Sequence, residues 1–484
     1  VKVKSFDVLL LFALVLARVR IDTLADRLVA QRRVELIKRI PMLGSLLPDK
    51  SLDLLQHWMT DPISLLLISI TFALLFLYLF FDLWQGMSER ARHKAKLAVL
   101  FSIIFTTVVA LSVFSILLRQ VAGPATFSHD GGVIQTEEAI KYLLAGQNPY
   151  VEDYVNTPMA EWGLEYRSAL YHYPYLPWTF LLSAPFYQAS ESLLGWYDQR
   201  FVYLVLFLIT LAVAGRWIGR GDQRLCLVMV LGLNPIMGTD VIFGQNDVFV
   251  LVWIVLCIWL LNRGHDTWAS VMLGLACASK PTAWFLLPFY FLYLARRDGF
   301  SPRRGLKPLA VYLLRKAIPL LLVVLIVVAP FALWNPGAMF DDVWRWSSGT
   351  AETPYQITGW GLANFVLALG LVESRLDYFP FWIVELLVCL PLLSYLVWRQ
   401  WKQNSIPSML YHYAFLTLAF FYTSRFMNEN YLGFLLAILA LAILGEFSLP
   451  TESSGWLRGT QGGDHSVSST TVTPSPPSSG KPGR

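Results

Sequence analysis

Charge is scarce in this sequence. Asp, Glu, Lys and Arg together supply only 15% of its 484 residues, against about a quarter in an ordinary soluble domain. So little charge cannot cover an extensive wetted surface. Cysteine is rarer still, and Cys226, Cys257, Cys277 and Cys389 all fall inside apolar segments. They show neither metal-ligand spacing nor a disulfide framework, and read as inert buried thiols. No periodicity suggests a soluble repeat, and no nucleic-acid module is visible. The net charge of +5 is a weak clue, because membrane proteins collect Lys and Arg in cytoplasmic loops.

What is abundant is apolar. Hydrophobic residues are 56% of the chain and the mean hydropathy is +0.52. They come in long runs, clearest at residues 63–81, 97–118, 201–218, 248–261, 317–333, 381–397, 409–423 and 431–444. Crossing about 30 Å of hydrocarbon takes roughly 20 helical residues. The expected fold is therefore all-α, a polytopic transmembrane helical bundle of about 10–13 membrane helices with external loops bearing short helices. The 18 Trp and 21 Tyr suit interfacial belts as well as a substrate cleft.

Basic loops orient the bundle. Arg90, Arg92, Lys94 and Lys96 mark one cytoplasmic loop, and Arg216, Arg220 and Arg224 a second. Arg297, Arg303, Arg304, Lys307 and Arg315 mark a third, Arg399 and Lys402 a fourth. Residues 119–175, 238–247, a hinge at Lys280-Pro281, 334–361 and 424–430 then lie outside, and they hold nearly every polar cluster. Two stretches must not add crossings: 360–372 is expected to be an external interfacial helix, and 176–196, with Pro177 and Pro185, a broken or re-entrant hairpin. Residues 274–294 read as two short apolar segments meeting at the Lys280 hinge.

The chain divides into a basic extension (1–62), a polytopic domain (63–445) and a tail (446–484). The extension carries one apolar run, 8–17, too short for a clear span. Its basic stretch belongs in the cytoplasm by charge, whereas the next helix places it outside. The tail is rich in Ser, Thr, Pro and Gly and is expected to be disordered.

The external polar elements follow a definite order. His129-Asp130-Gly131-Gly132 comes just after a membrane helix, then Glu137-Glu138 on a helix that stops at Gly146-Gln147-Asn148-Pro149-Tyr150. Tyr171-His172-Tyr173-Pro174-Tyr175, Gly244-Gln245-Asn246-Asp247, the Gly274 to Lys280-Pro281 segment and Arg425 to Asn430 complete the series. This order resembles the C-superfamily polytopic membrane glycosyltransferases, in particular the bacterial polyprenol-phosphomannose-dependent mannosyltransferase branch (family 87-like), over about residues 97–445. Two departures stand out: the region before residue 97, and Tyr175, where a second proline is common.

The resemblance implies a membrane enzyme, a hexosyltransferase. It would move a sugar, a hexose such as mannose, from a polyprenyl-phosphate donor to a lipid, glycan or protein acceptor on the extracytoplasmic face. Inversion in one step needs one carboxylate base, and Asp130 matches the branch's catalytic acid. The bland alternative is a solvated loop aspartate capping the following helix. The departing phosphate needs fixed cations or N–H donors, assigned to Lys280, Arg425 and His172. Lys280 would otherwise snorkel to the interface, and Arg425 would otherwise anchor a helix boundary. His129, Asn246, Asp247 and Glu429 are the candidate sugar or acceptor contacts. Glu137 and Glu138 read as a solvated helix face. Asp341-Asp342, with Arg345, Trp344 and Trp346, reads as an amphipathic helix over the site. Neither acidic pair has metal partners at diagnostic spacing, so no metal and no cofactor is expected. A transporter or flippase also has broken helices and charge at membrane depth, but it calls for inverted repeats, and none is seen. A noncatalytic assembly protein would leave the loop residues without a task.

Overall fold

The computed structural model describes residues 6–25, 30–46, 48–55, 61–126, 129–163, 167–217, 221–300, 306–445 and 447. Within them the chain is all-α. The sole β pairing among the described residues joins two two-residue strands, Thr358–Gly359 and Phe426–Met427, in parallel. The Ser/Thr/Pro/Gly-rich segment from 448 onward lies outside the described residues, as do Arg220, Arg303 and Arg304.

Five helices are long and apolar enough to cross a membrane: Pro62–Leu83, Glu89–Ala122, Arg200–Trp217, Lys307–Trp334 and Phe381–Lys402. The pair Gly221–Leu233 and Pro235–Phe243, bent by 44°, is together long and apolar enough for a sixth. Its break is written in the sequence. Pro235 has no N–H to continue the first helix, and Asn234 caps the second by accepting from the Met237 N–H at 3.3 Å. The apolar helices Asp247–Asn262 and Glu429–Leu444 are 16 residues each and are largely buried in the bundle. In contrast, only 17% and 11% of the Lys307–Trp334 and Phe381–Lys402 windows are buried. Those two form an outer wall whose apolar side chains are largely exposed, as suits a surface against lipid. The chain is thus a multi-pass membrane protein.

The first helix differs from the expectation of a short run. It extends over Phe6–Ala25 and packs against the two halves of the bent pair. Asp7 pairs with Lys96 and accepts from the Tyr78 hydroxyl at 2.7 Å, beside the first basic loop. The following helix, Ala30–Arg39, places Val34 and Ile37 against Phe114 and Leu118, near the opposite end of the bundle. Asp7 and Arg18 bound the apolar run of this helix, and each finds a buried partner in the bundle.

Two other stretches resolve clearly. Residues 360–372 hold only the short helix Ala363–Ala368 and make no crossing. Residues 176–196 are not a broken hairpin but one continuous helix, Trp178–Leu194, with Pro185 inside it. Its start bonds to Ser279 and Ala278, and its end lies near Arg119 and Glu137. Both ends therefore sit at the same end of the bundle, and the helix adds no net crossing.

Candidate active site

Backbone hydrogen bonds draw the separate loops together at one end of the bundle. The Asp130 N–H donates to the Phe243 carbonyl at 2.7 Å, and the Leu176 and Trp178 N–H groups donate to Ser279 and Ala278 at 3.1 Å. Trp360 donates to Met427 at 2.9 Å. Between these segments lies a cavity of about 790 Å³, large enough for a sugar and part of a lipid headgroup. Of the predicted site residues, Asp130, Lys280, Asn246 and Arg425 line it. His129, His172, Asp247 and Glu429 do not.

Asp130 is the N-cap of the Gly131–Leu144 helix, and its Oδ2 accepts from the Gly132 N–H at 2.8 Å. The capping role is therefore real, but the residue is not a solvated loop aspartate. Its carboxyl stands in the cavity wall beside Gln245 and Tyr175. Burial pushes its pKa above the usual carboxylate range, while the Gly132 hydrogen bond and the Lys280 charge pull the other way. A carboxylate made more basic by desolvation is better suited to take a proton. Gly132 keeps this corner open: a Cβ there would meet the Tyr175 hydroxyl at 2.6 Å and Asp130 Oδ2 at 2.9 Å. Gly244 is equally constrained, with φ of +89° and a Cβ that would meet Val133 at 2.4 Å. Thus the Gly-Gln-Asn-Asp turn delivers Gln245 to Asp130.

Lys280 is held rather than free. Its Nζ donates to Asp247 Oδ1 at 2.7 Å and to Asn246 Oδ1 at 3.2 Å, and it lies 5.0 Å from the Tyr431 ring centroid. Asn430 donates to the other Asp247 oxygen. The partner that makes its burial tolerable is internal, so the ammonium does not snorkel. Asp247 serves the site by holding Lys280 from behind.

Arg425 is almost fully buried, 2% exposed. It donates to three carbonyls, of Tyr355 at 2.5 Å, Asp377 at 2.8 Å and Arg375 at 3.1 Å. A guanidinium has five N–H groups, and no carboxylate accepts from these. Burial pulls its pKa down to about 10, still fully charged at neutral pH. Carbonyls take up three of its N–H groups, with the Asp377 charge nearby, an arrangement with N–H capacity left for an anion.

The histidines play other parts. His129 is buried between the carbonyls of Asp130 at 2.8 Å and Pro124 at 2.9 Å. Burial, with Arg119 and Arg200 nearby, lowers its pKa to about 4. A neutral imidazole has one N–H, so only one of these contacts is a hydrogen bond at neutral pH. His172 Nδ1 meets Asp342 Oδ1 at 2.8 Å and its Nε2 meets Thr353 Oγ1 at 2.8 Å. Asp342 also accepts from the Tyr173 N–H at 2.9 Å, and burial pushes its carboxyl up to about 6. The sequence offered no partner for Asp341-Asp342, yet the fold brings His172 to them. Metal-capable atoms of the three lie within 4.8 Å of one another, although a cation would have to displace the hydrogen bonds just named. Glu429 is exposed at the start of its helix, and its neighbour Asn430 faces the cavity instead.

Glu137 is not on a solvated face. Arg119 bonds both its oxygens at 2.8 Å and also reaches Asp198 at 2.9 Å, while Arg200 grips Asp198 at 2.7 and 2.8 Å. This buried cluster fixes the Gly131–Leu144 helix, and with it Asp130, to the ends of two membrane helices. Glu138 is also buried and pairs with Lys141 at 2.7 Å.

A family model for Glycosyltransferase family 87 matches residues 171–420, just over half of the chain. The match contains His172, Asn246, Asp247 and Lys280; Asp130 precedes it, and Arg425 and Glu429 follow it. No curated protein and no solved structure matches the chain.

Proposed function

Because the chain belongs to glycosyltransferase family 87 and is a membrane glycosyltransferase, we propose that it transfers a sugar, a hexose such as mannose, from a polyprenyl-phosphate donor to a lipid, glycan or protein acceptor. The cavity would face the extracytoplasmic side, with the basic loops in the cytoplasm, as the charge bias of the loops favours. Asp130 is the general base: its carboxylate takes the proton of the acceptor hydroxyl while the hydroxyl's oxygen bonds to the anomeric carbon. The bond from anomeric carbon to phosphate oxygen breaks with inversion, and the electron pair leaves on the lipid phosphate. Arg425, with N–H groups to spare, is the first partner for that anion, and Lys280 the second, released in part from Asp247 as the phosphate arrives.

The observation that carries this reading is the meeting of the Asp130 carboxyl with Lys280 and Arg425 in a single cavity. Retaining chemistry would need a second carboxylate about 5 Å from the first. Asp247, the carboxylate whose charge reaches Asp130, is already bonded to Lys280 and Asn430, so Asp130 acts as the single base. Turnover of polyprenyl-phosphate sugars by purified protein tests the proposal. Product of inverted anomeric configuration is expected, and retention would overturn the single-base mechanism.

A further inference from the structure

The Phe381–Lys402 helix begins at the cavity, where Phe381, Trp382 and Glu385 line the wall, and ends 22 residues on among basic groups at the far side of the bundle. The cations there fall into two sets. Arg297 and Lys316 are neutralised within the protein, by Asp266 at 2.6 and 2.7 Å and by Asp298 at 3.0 and 3.5 Å. Arg296, Arg399 and Lys402 form no ion pair among the described residues. The Arg296 guanidinium lies 4.5 Å from the Trp401 ring centroid, with its buried Nε unbonded. Lys402 lies 3.9 Å over Trp398. Arg399 reaches only the neutral side chains of Tyr395 and Gln403.

Tyr395, Trp398, Arg399 and Lys402 stand three and four residues apart, so they share one helix face, and all four are exposed. Toward the cavity the same face continues through Leu387, Val388 and Pro391, exposed and apolar. Only 11% of this helix's apolar window is buried, so the face borders lipid rather than protein. Aromatic rings with a cationic end are the pattern of a membrane interface, and three cations without a carboxylate call for an anion. A soluble acidic partner would not reach the apolar part, and a free phosphate would leave it bare. A zwitterionic headgroup brings its own ammonium and leaves the charge unmatched. We infer that this face binds an anionic phospholipid of the leaflet at the basic-loop end. Its phosphate bonds Arg399 and Lys402, with Arg296 across Trp401, and an acyl chain lies along the apolar stripe. The lipid then fixes the far end of a helix whose near end is a wall of the cavity.

Native mass spectrometry of the full chain in detergent, titrated with phosphatidylglycerol or phosphatidylcholine of the same acyl chains, tests this. Wild type should bind phosphatidylglycerol about tenfold or more the tighter. Arg399→Gln/Lys402→Gln should weaken that binding about 25-fold, about fivefold for each cation removed. Both side chains are exposed, so the fold is not at stake. Arg90→Gln/Lys94→Gln removes the same charge from exposed positions on another basic loop and should stay within about twofold of wild type. Wild-type affinity in the Arg399/Lys402 variant overturns the inference. Equal weakening in both double variants does so too, since it would mean general attraction to a positive protein. So does phosphatidylcholine bound as tightly as phosphatidylglycerol, or displacement of the lipid by an equal concentration of glycerol phosphate, which would make the site one for free phosphate.

Discussion

Two charge clusters share one end of the bundle, and they are built on opposite plans. In the first, Arg119, Glu137, Asp198 and Arg200 close on one another, with bidentate contacts at 2.7–2.9 Å and no side chain more than 9% exposed. In the second, Asp130, Lys280 and Arg425 open onto a cavity. Asp130 spends one oxygen on a helix cap, and Arg425 spends its donors on carbonyls alone. A closed cluster fixes geometry, because removing either partner strands a buried charge. An open one keeps bonding capacity for something that arrives later. The difference lies in unfilled valence, not in burial or charge.

The sharpest way to break this comparison is Asp130→Asn. Asparagine caps a helix as well as aspartate, so expression and thermal stability should hold while turnover falls about 10²–10⁴-fold. Near wild-type turnover would leave Asp130 as a cap only. The wild-type pH profile adds to this. The base works deprotonated and burial raises its pKa, so activity should fall with acid at a higher pH than an ordinary aspartate, near about 4, would give.

Glu137→Ala should show the reverse pattern. It leaves Arg119 and Arg200 to share Asp198, one buried positive charge in excess, which should cost about 3–5 kcal/mol of stability, read as a lower unfolding temperature in detergent. Protein that remains folded should keep its donor KM. A stable but inactive variant would place Glu137 in the open cluster.

Lys280→Ala should raise the donor KM or lower turnover by about 10–100-fold, as expected for one hydrogen bond to a charged group, with acceptor dependence little changed. Lys280→Arg should retain part of the activity. Unchanged donor dependence in the alanine variant would leave Lys280 as a prop for Asp247, with Arg425 alone on the phosphate.

The smallest effect expected is on function and the clearest on topology. Single cysteines at exposed Val151 and Lys307 should label from opposite sides of intact cells without loss of activity. Labelling of both from one side would put the cavity and the basic loops on the same face.

Much of this was legible in the sequence because hydropathy and loop charge are local. Helices with clean apolar runs and the capping turns at Asn234-Pro235 and Gly244 stand in the chain as written, and the order of external motifs pointed to the family. Asp130, Lys280 and Arg425 were identifiable as polar residues at helix boundaries. The first helix was harder, since Asp7 and Arg18 close off its apolar run on either side and their partners are distant. Glu385 was missed for the opposite reason, as a single charge diluted in a long apolar run.

What the sequence determined by itself, then, is which segments leave water and which polar groups gather at one end, because transfer free energy depends on composition within about 20 residues. Only tertiary structure decided how each charge is spent. The partner of Lys280 is 33 residues away, that of His172 is 170, and the carbonyls on Arg425 lie 48–70 residues before it. No local pattern encodes such pairs. Electrostatic pairing and desolvation depend on distance in space, and packing sets that distance.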